Sequence, residues 1–298
     1  MTDLASRDQI RALPCFSGQI EIEPLTGGLS NENWLVSDGA GRHVVRLGRD
    51  FPFHHVDRER EVMTACAAHD AGFAPRVEYS QPGIMVSAFV DAKTFDAADV
   101  RANPERIGRL IHEFHTTMPR HIKGPGFMFW VFHVIRDYAR TLKSGHSRMA
   151  DNLPAWLELS DSLEAAQSPL PIIFGHNDLL PANFLDDGHK LWLIDFEYAG
   201  FSTAMFDIAG AASNAEMNED EAAVLLEAAL GSPPDRALTQ SFHAMQCASL
   251  LRETLWSLVS ELHLDAPGVD YQAYTSENLA RLDAALAQYH STYGKTSP

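Results

Sequence analysis

Cysteine is scarce in this chain. The three present, Cys15, Cys66 and Cys247, are far apart and odd in number. They indicate neither a disulfide framework nor a zinc site, and a reducing compartment is expected. Basic residues are also in deficit, with 23 Lys and Arg against 40 Asp and Glu, a formal charge of −17. That balance argues against a nucleic-acid partner, which needs a basic stripe, and is compatible with a cationic substrate. No apolar run approaches the length that crosses a bilayer. The start, Met1-Thr2-Asp3-Leu4, lacks the basic and apolar regions of a signal peptide. A soluble, cytoplasmic protein without a membrane partner is therefore expected. Repeats, low-complexity segments and long linkers are missing too, and nothing in the pattern specifies an oligomer. Apolar residues are plentiful: 45% of 298 positions, enough core for one large domain or two modest ones.

The hydrophobic pattern divides the chain. After a short helix over 3–13, Gln19 to Leu25 alternates polar and apolar, as a half-buried strand does. Trp34-Leu35-Val36 and His43 to Leu47 read as strands about the turn Ser37 to Gly41. Asp57 to Ala68 is rich in helix formers. Arg76 to Tyr79 and Ile84 to Val90 complete five short strands. From Asp96 onward helical periodicity takes over, with helices expected over 104–118, 128–142, 153–167, 219–229, 235–263 and 270–290. The fold class is thus α+β: a small antiparallel sheet with one helix, then a mainly helical part. The expected division is 1–89 and 90–298.

The segment richest in chemistry is His176-Asn177-Asp178-Leu179-Leu180-Pro181-Ala182-Asn183, followed by the apolar run Leu191 to Ile194 and then Asp195-Phe196-Glu197-Tyr198. Asp186-Asp187-Gly188-His189 between them has the composition of a tight turn. No helix separates Asp178, Asn183 and Asp195, so all three are expected on one rim. Two carboxylates and an amide in that order suit phosphoryl transfer. Asp178 would face an acceptor hydroxyl, and Asn183 and Asp195 would hold Mg2+ through hard oxygen donors. His112 and His115 lie three apart on a helix, which is not the H-E-x-x-H spacing, and are read as core or capping histidines.

His176 to Asn183 and Ile194 to Tyr198 resemble the catalytic and metal-binding segments of the choline/ethanolamine kinase family, within the wider group of aminoglycoside phosphotransferases and kinase-like folds. The resemblance implies a two-lobed kinase-like fold that uses ATP and Mg2+ to phosphorylate the hydroxyl of a cationic alcohol such as choline or ethanolamine. It places Ser30 and Asn31, in the Gly27-Gly28-Leu29-Ser30-Asn31 loop, near the ATP phosphates. Arg46 takes the place of the phosphate-binding lysine of protein kinases. Glu61 would hold Arg46, with Glu59 as the alternative. Phe89 and Val90 fall at the hinge that meets adenine, with Met85 and Val86 walling the pocket. Glu197, Tyr198, Phe201 and Trp256 are the candidates for a box around the cationic head group. Leu255 to Val259 resembles the tryptophan helix of the family, but Glu253 stands where eukaryotic choline kinases carry a second tryptophan. That exchange favours a primary amine, or another cation, over choline. Phe206-Asp207-Ile208 also matches the family, and Asp207 is expected to bond the catalytic loop backbone. Alternatives are an aminoglycoside or thiamine phosphotransferase, or a nucleotide-binding pseudokinase. A protein kinase is disfavoured, because neither a G-x-G-x-x-G loop nor Asp-Phe-Gly is present.

Overall fold

The computed structural model describes residues 3–25, 31–264 and 268–294. It opens with α1 (Asp3–Arg11), β1 (Glu21–Leu25), β2 (Glu32–Ser37) and β3 (Arg42–Leu47). Next come α2 (Arg58–Asp70), β4 (Val77–Gln81) and β5 (Ile84–Ala88). These strands form one antiparallel sheet in the order β1-β2-β3-β5-β4. Its two faces go to different cores. Ile22, Trp34, Val36, Val45, Leu47, Ile84 and Val86 pack with Ile10 and Leu13 from α1 and the residues just after it. The helix α2 instead contributes Ala65, Ala67 and Ala68 to the larger core, which it shares with the helical part. Asp57 caps α2 by accepting from the Arg60 amide at 2.9 Å.

The chain then leaves the sheet. Beyond it lie β6 (Lys93–Thr94), α3 (Ala97–Ala102), α4 (Pro104–Thr117), α5 (Val131–Ser144) and α6 (Leu153–Ala165). The catalytic segment is built by β7 (Ile172–Gly175), β8 (Phe184–Asp186), β9 (Leu191–Leu193) and β10 (Gly200–Thr203). Four helices close the fold: α7 (Ala204–Asn214), α8 (Glu219–Leu230), α9 (Arg236–His263) and α10 (Tyr271–Tyr293). The result is the expected α+β class, a small antiparallel sheet followed by a mainly helical part. Among the described residues no helix is long and apolar enough to cross a membrane.

Among the elements that escaped the sequence pattern are β10 and α7. β10 exists through its pairing with β7, Phe201 opposite Phe174, a contact between distant segments. α7 is buried on every side from Met205 to Ala212. A helix buried all round has no polar face and so shows no amphipathic period.

Candidate active site

The rim is assembled by a hairpin. β8 and β9 pair with Phe184 opposite Leu193. At the closed end the Asp187 carboxylate accepts from the amides of His189 and Lys190, both at 2.8 Å, and Gly188 takes φ +85°. That is the tight turn the composition demanded. At the open end, the residues next to the paired strands are Asn183 and Ile194, joined by an Ile194 amide bond to the Asn183 carbonyl at 3.2 Å. Asp195 follows at once, so the hairpin delivers Asn183 and Asp195 side by side. Asn183 also donates from Nδ2 to the Asp178 carbonyl at 2.7 Å, which ties the preceding loop to the same rim.

The loop itself is held from beneath. Asp207 accepts from the His176 amide at 2.8 Å and the Asn177 amide at 2.6 Å, and lies 2.7 Å from His115 Nε2. His115 is thus a partner of Asp207, and His112 bonds the Ala229 carbonyl at 3.0 Å. His176 is fully buried, and its Nε2 meets the Ile194 carbonyl at 3.0 Å, so that nitrogen carries the proton. Burial lowers its pKa and keeps the ring neutral. Asn177 and Asp195 both sit at positive φ, +60° and +70°. Asn and Asp are the side chains that tolerate this region best after glycine.

Across the rim, a network of opposite charges reaches the sheet. Arg46 grips Asp195 with two parallel bonds, Nη1 to Oδ1 at 2.7 Å and Nη2 to Oδ2 at 2.6 Å, and its Nη1 also bonds Glu61. Glu61, not the exposed Glu59, is therefore the helix carboxylate that reaches Arg46. Arg58 Nη1 bridges Glu61 at 2.5 Å and Glu197 at 2.9 Å. Asn31 Nδ2 donates to Glu197 at 3.1 Å. Arg58 was not singled out in the sequence, although its place three residues before Glu61 on one helix was the available signal.

The electrostatics of the two aspartates diverge. Burial pushes the Asp178 carboxyl well above the carboxylate range, and the neighbouring Asp195 charge adds to the rise. Burial also raises Asp195, but Arg46 overrides it and holds that group below its usual value. Asp178 thus sits where acids outnumber cations. Such a donor set fits a divalent ion: the Asn183 amide oxygen and the Asp195 carboxylate are hard ligands, and a nearby positive charge would let Asp178 ionise.

Other expected site residues fall less simply. Ser30 lies outside the described residues, as do Thr26 to Leu29. The Phe89 amide is taken by the Arg42 carbonyl at 3.1 Å, and its ring lies under the Arg42 guanidinium at 4.2 Å. Phe89 is therefore spent on holding the strand end, whereas the Val90 amide makes no bond among the described residues. Val86 faces α1 rather than the cleft, since strand alternation puts Met85 on the Arg46 side and Val86 opposite. Tyr198 and Trp256 meet directly, Trp256 Nε1 donating to the Tyr198 hydroxyl at 2.9 Å. Trp256 also stacks on His54, with ring centroids 5.1 Å apart, and meets Tyr274 edge-on at 6.2 Å. Two candidates for the box have other partners in this structure. Glu197 turns to Arg58 and Asn31, because a buried carboxylate needs charged partners. Phe201 sits edge-on to Phe174 at 5.3 Å and beside Gly126, so β10 pairing directs it into the sheet contact.

The model of the phosphotransferase enzyme family matches residues 21–241. A probable ethanolamine kinase of Arabidopsis thaliana is 28% identical over 206 residues, 63% of this chain and 54% of that protein. The chain thus spans about half of that plant relative. The crystal structure of a choline/ethanolamine kinase family protein from Mesorhizobium loti superposes with a TM-score of 0.77 at 26% identity, over 96% of this chain and 95% of the other. The choline kinase LicA from Streptococcus pneumoniae gives a TM-score of 0.78 at 21% identity, over 96% and 99%.

Proposed function

From the premise that this chain belongs to the phosphotransferase enzyme family, we propose that it is an ATP- and Mg2+-dependent kinase acting on the hydroxyl of a small amine-bearing alcohol. The observation that carries the reading is the convergence of Asp178, Asn183 and Asp195 at the open end of one hairpin, with Arg46 and Glu61 facing them from the sheet. The names of the plant and bacterial relatives agree with it.

Asp178 takes the proton of the acceptor hydroxyl. The freed oxygen bonds to the γ-phosphorus as the bond to the bridging oxygen breaks, and ADP leaves. Bound Mg2+ supplies charge neutralisation at the phosphate oxygens, with Asn183 and Asp195 as the residues that would hold it. Arg46 exchanges the Asp195 carboxylate for phosphate oxygens, since its planar fork fits either anion. Glu61 keeps the guanidinium aimed during that exchange. Asn31 lies at the phosphate end through its bond to Glu197, and the Val90 amide is the hinge donor toward adenine. The acceptor end is bounded by Tyr198, Trp256 and Tyr274. Here Glu253 replaces one aromatic wall and accepts from the Tyr274 hydroxyl at 2.7 Å, which favours an amine that donates hydrogen bonds over choline.

The test is ADP release by the purified protein with ATP and Mg2+ against ethanolamine, choline, thiamine and an aminoglycoside. Turnover on the primary amino alcohol is expected, abolished in Asp178→Ala and Asp195→Ala. Nucleotide binding without turnover of any alcohol would overturn the reading in favour of a pseudokinase.

A further inference from the structure

The connection from β3 to α2 does not stay with the sheet. Phe51 and Val56 close it with two backbone bonds of 3.1 Å, and the short turn Pro52–His54 lies between them. Three successive side chains leave this turn for α5 and α9. Phe53 stacks on His263 with ring centroids 4.6 Å apart, and His55 Nε2 lies 2.9 Å from the Asp137 carboxylate. His54 goes deepest and is 2% exposed. Its Nδ1 lies 3.2 Å from the Tyr138 hydroxyl and its Nε2 2.9 Å from the Ser260 hydroxyl, so both ring nitrogens have partners. Burial holds the ring neutral. A neutral imidazole has one donor and one acceptor, which two hydroxyls can match in either tautomer. Those two bonds fix the plane of the ring. Trp256 stacks on that plane, tilted by 25° with centroids 5.1 Å apart. The other neighbours of the indole are Tyr198, which takes its N–H at 2.9 Å, and Tyr271 and Tyr274, which meet it edge-on at 6.3 and 6.2 Å. Of these four, His54 alone comes from the chain before α2. With both nitrogens spent on buried hydroxyls it has no proton to offer the reaction. What it supplies is a flat face held at a set angle.

We propose that His54 is a positioning residue for the acceptor, its ring seating Trp256 at the angle from which the indole bounds the acceptor end. This rests on the reading of Tyr198, Trp256 and Tyr274 as that end. An indole that tilts away from His54 loses its bond to the Tyr198 hydroxyl and changes the wall that the acceptor meets. The cluster of Arg46, Glu61 and Asp195 is not touched by that tilt, so the effect falls on the alcohol and not on the nucleotide.

Two substitutions separate the face from the bonds. His54→Leu and His54→Phe both lose the contacts with the Tyr138 and Ser260 hydroxyls, so both should melt lower than wild type. Only His54→Phe keeps a flat face for Trp256. Steady-state rates are measured with ATP, Mg2+ and ethanolamine, or whichever alcohol of the panel above is turned over fastest. His54→Leu is expected to raise KM for the alcohol by about three- to tenfold, the range of a lost aromatic contact, while kcat and KM for ATP stay within about twofold. His54→Phe should recover most of that KM although it is as thermally weakened as His54→Leu. In a Trp256→Phe background, His54→Leu should raise the alcohol KM little further, because residues that act through one contact do not add. If neither variant folds, Ser260→Ala, which releases one edge of the ring without opening a large cavity, carries the test: a rise in the alcohol KM alone is expected, and no rise overturns the inference. An unchanged alcohol KM in His54→Leu would overturn it too, as would equal values in the Leu and Phe variants. Parallel rises for alcohol and ATP would do the same and make His54 a tether between the two parts of the chain. The kinase reading survives all of these. A Trp256→Phe protein with an unchanged alcohol KM would instead refute the acceptor end itself, and the inference with it. Absence of turnover on every alcohol of the panel would sink the inference and the kinase reading together.

Discussion

Asp178→Asn should inactivate the protein and yet stabilise it. The Asp178 side chain has no hydrogen bond within the described structure, and burial together with Asp195 raises its carboxyl well above the ordinary range. The sign follows from proton linkage. Between the unfolded value near 3.9 and the raised folded value, the folded protein binds more protons than the unfolded chain. Stability from this group therefore falls as pH rises through that window. Asparagine has nearly the same shape and no charge to bury. The gain should resemble that of other relieved active-site groups, about 0.5–2 kcal/mol, which at about 2–4 °C per kcal/mol amounts to a few degrees of melting temperature. It should be present at neutral pH and fade as pH falls toward the unfolded value, below which Asp178 is protonated in both states. Differential scanning fluorimetry of the two proteins across pH, without nucleotide or metal, reads it directly. Adding ATP analogue with Mg2+ should close part of the gap, because wild type then has a cation beside the carboxylate. A variant less stable than wild type at pH 7, or a gain that grows toward acid, would refute the electrostatic account.

Other perturbations separate the remaining roles. Glu61→Gln removes the carboxylate shared by two guanidinium groups and should cost about 3–5 kcal/mol along with nucleotide affinity, whereas Glu59→Gln should stay within about 0.5 kcal/mol; chemical denaturation and ATP titration check both. Asp207→Ala strips the acceptors of two backbone amides and His115, so a loss of at least about 3 kcal/mol and of turnover is expected, and an unchanged denaturation midpoint would argue against the anchor. Trp256→Phe deletes the donor to the Tyr198 hydroxyl and should cost about 1 kcal/mol, raising KM for the acceptor and leaving KM for ATP unchanged; a matching rise for ATP would place Trp256 outside the acceptor end.

Much of this molecule was legible before any coordinates. Hydrophobic alternation gave the five sheet strands, the 3.6-residue period gave the long helices, and the turn at Asp187-Gly188 could be read from composition because turn chemistry is local. The rim of Asp178, Asn183 and Asp195 was equally legible, since a hairpin of short strands leaves its flanking residues no room to separate. Other features were decided only in three dimensions. β10 pairs with a distant strand, and α7 is buried on every face, so neither leaves a periodic trace. Spacing left Glu59 and Glu61 both open. The Arg46 fork, held between Glu61 and Asp195, resolved that choice. Glu197 and Phe201 are acceptor candidates by position, and only the fold shows that the one meets Arg58 and the other meets Phe174. Arg252 is a further case: the sequence shows a charge in an apolar helix, but only packing reveals that it pairs with Glu253 and lies over the Tyr198 ring. Local propensity and period are carried by neighbours along the chain. Charge pairing depends on which distant segments meet, and that is fixed only when the two faces of the sheet close into their separate cores.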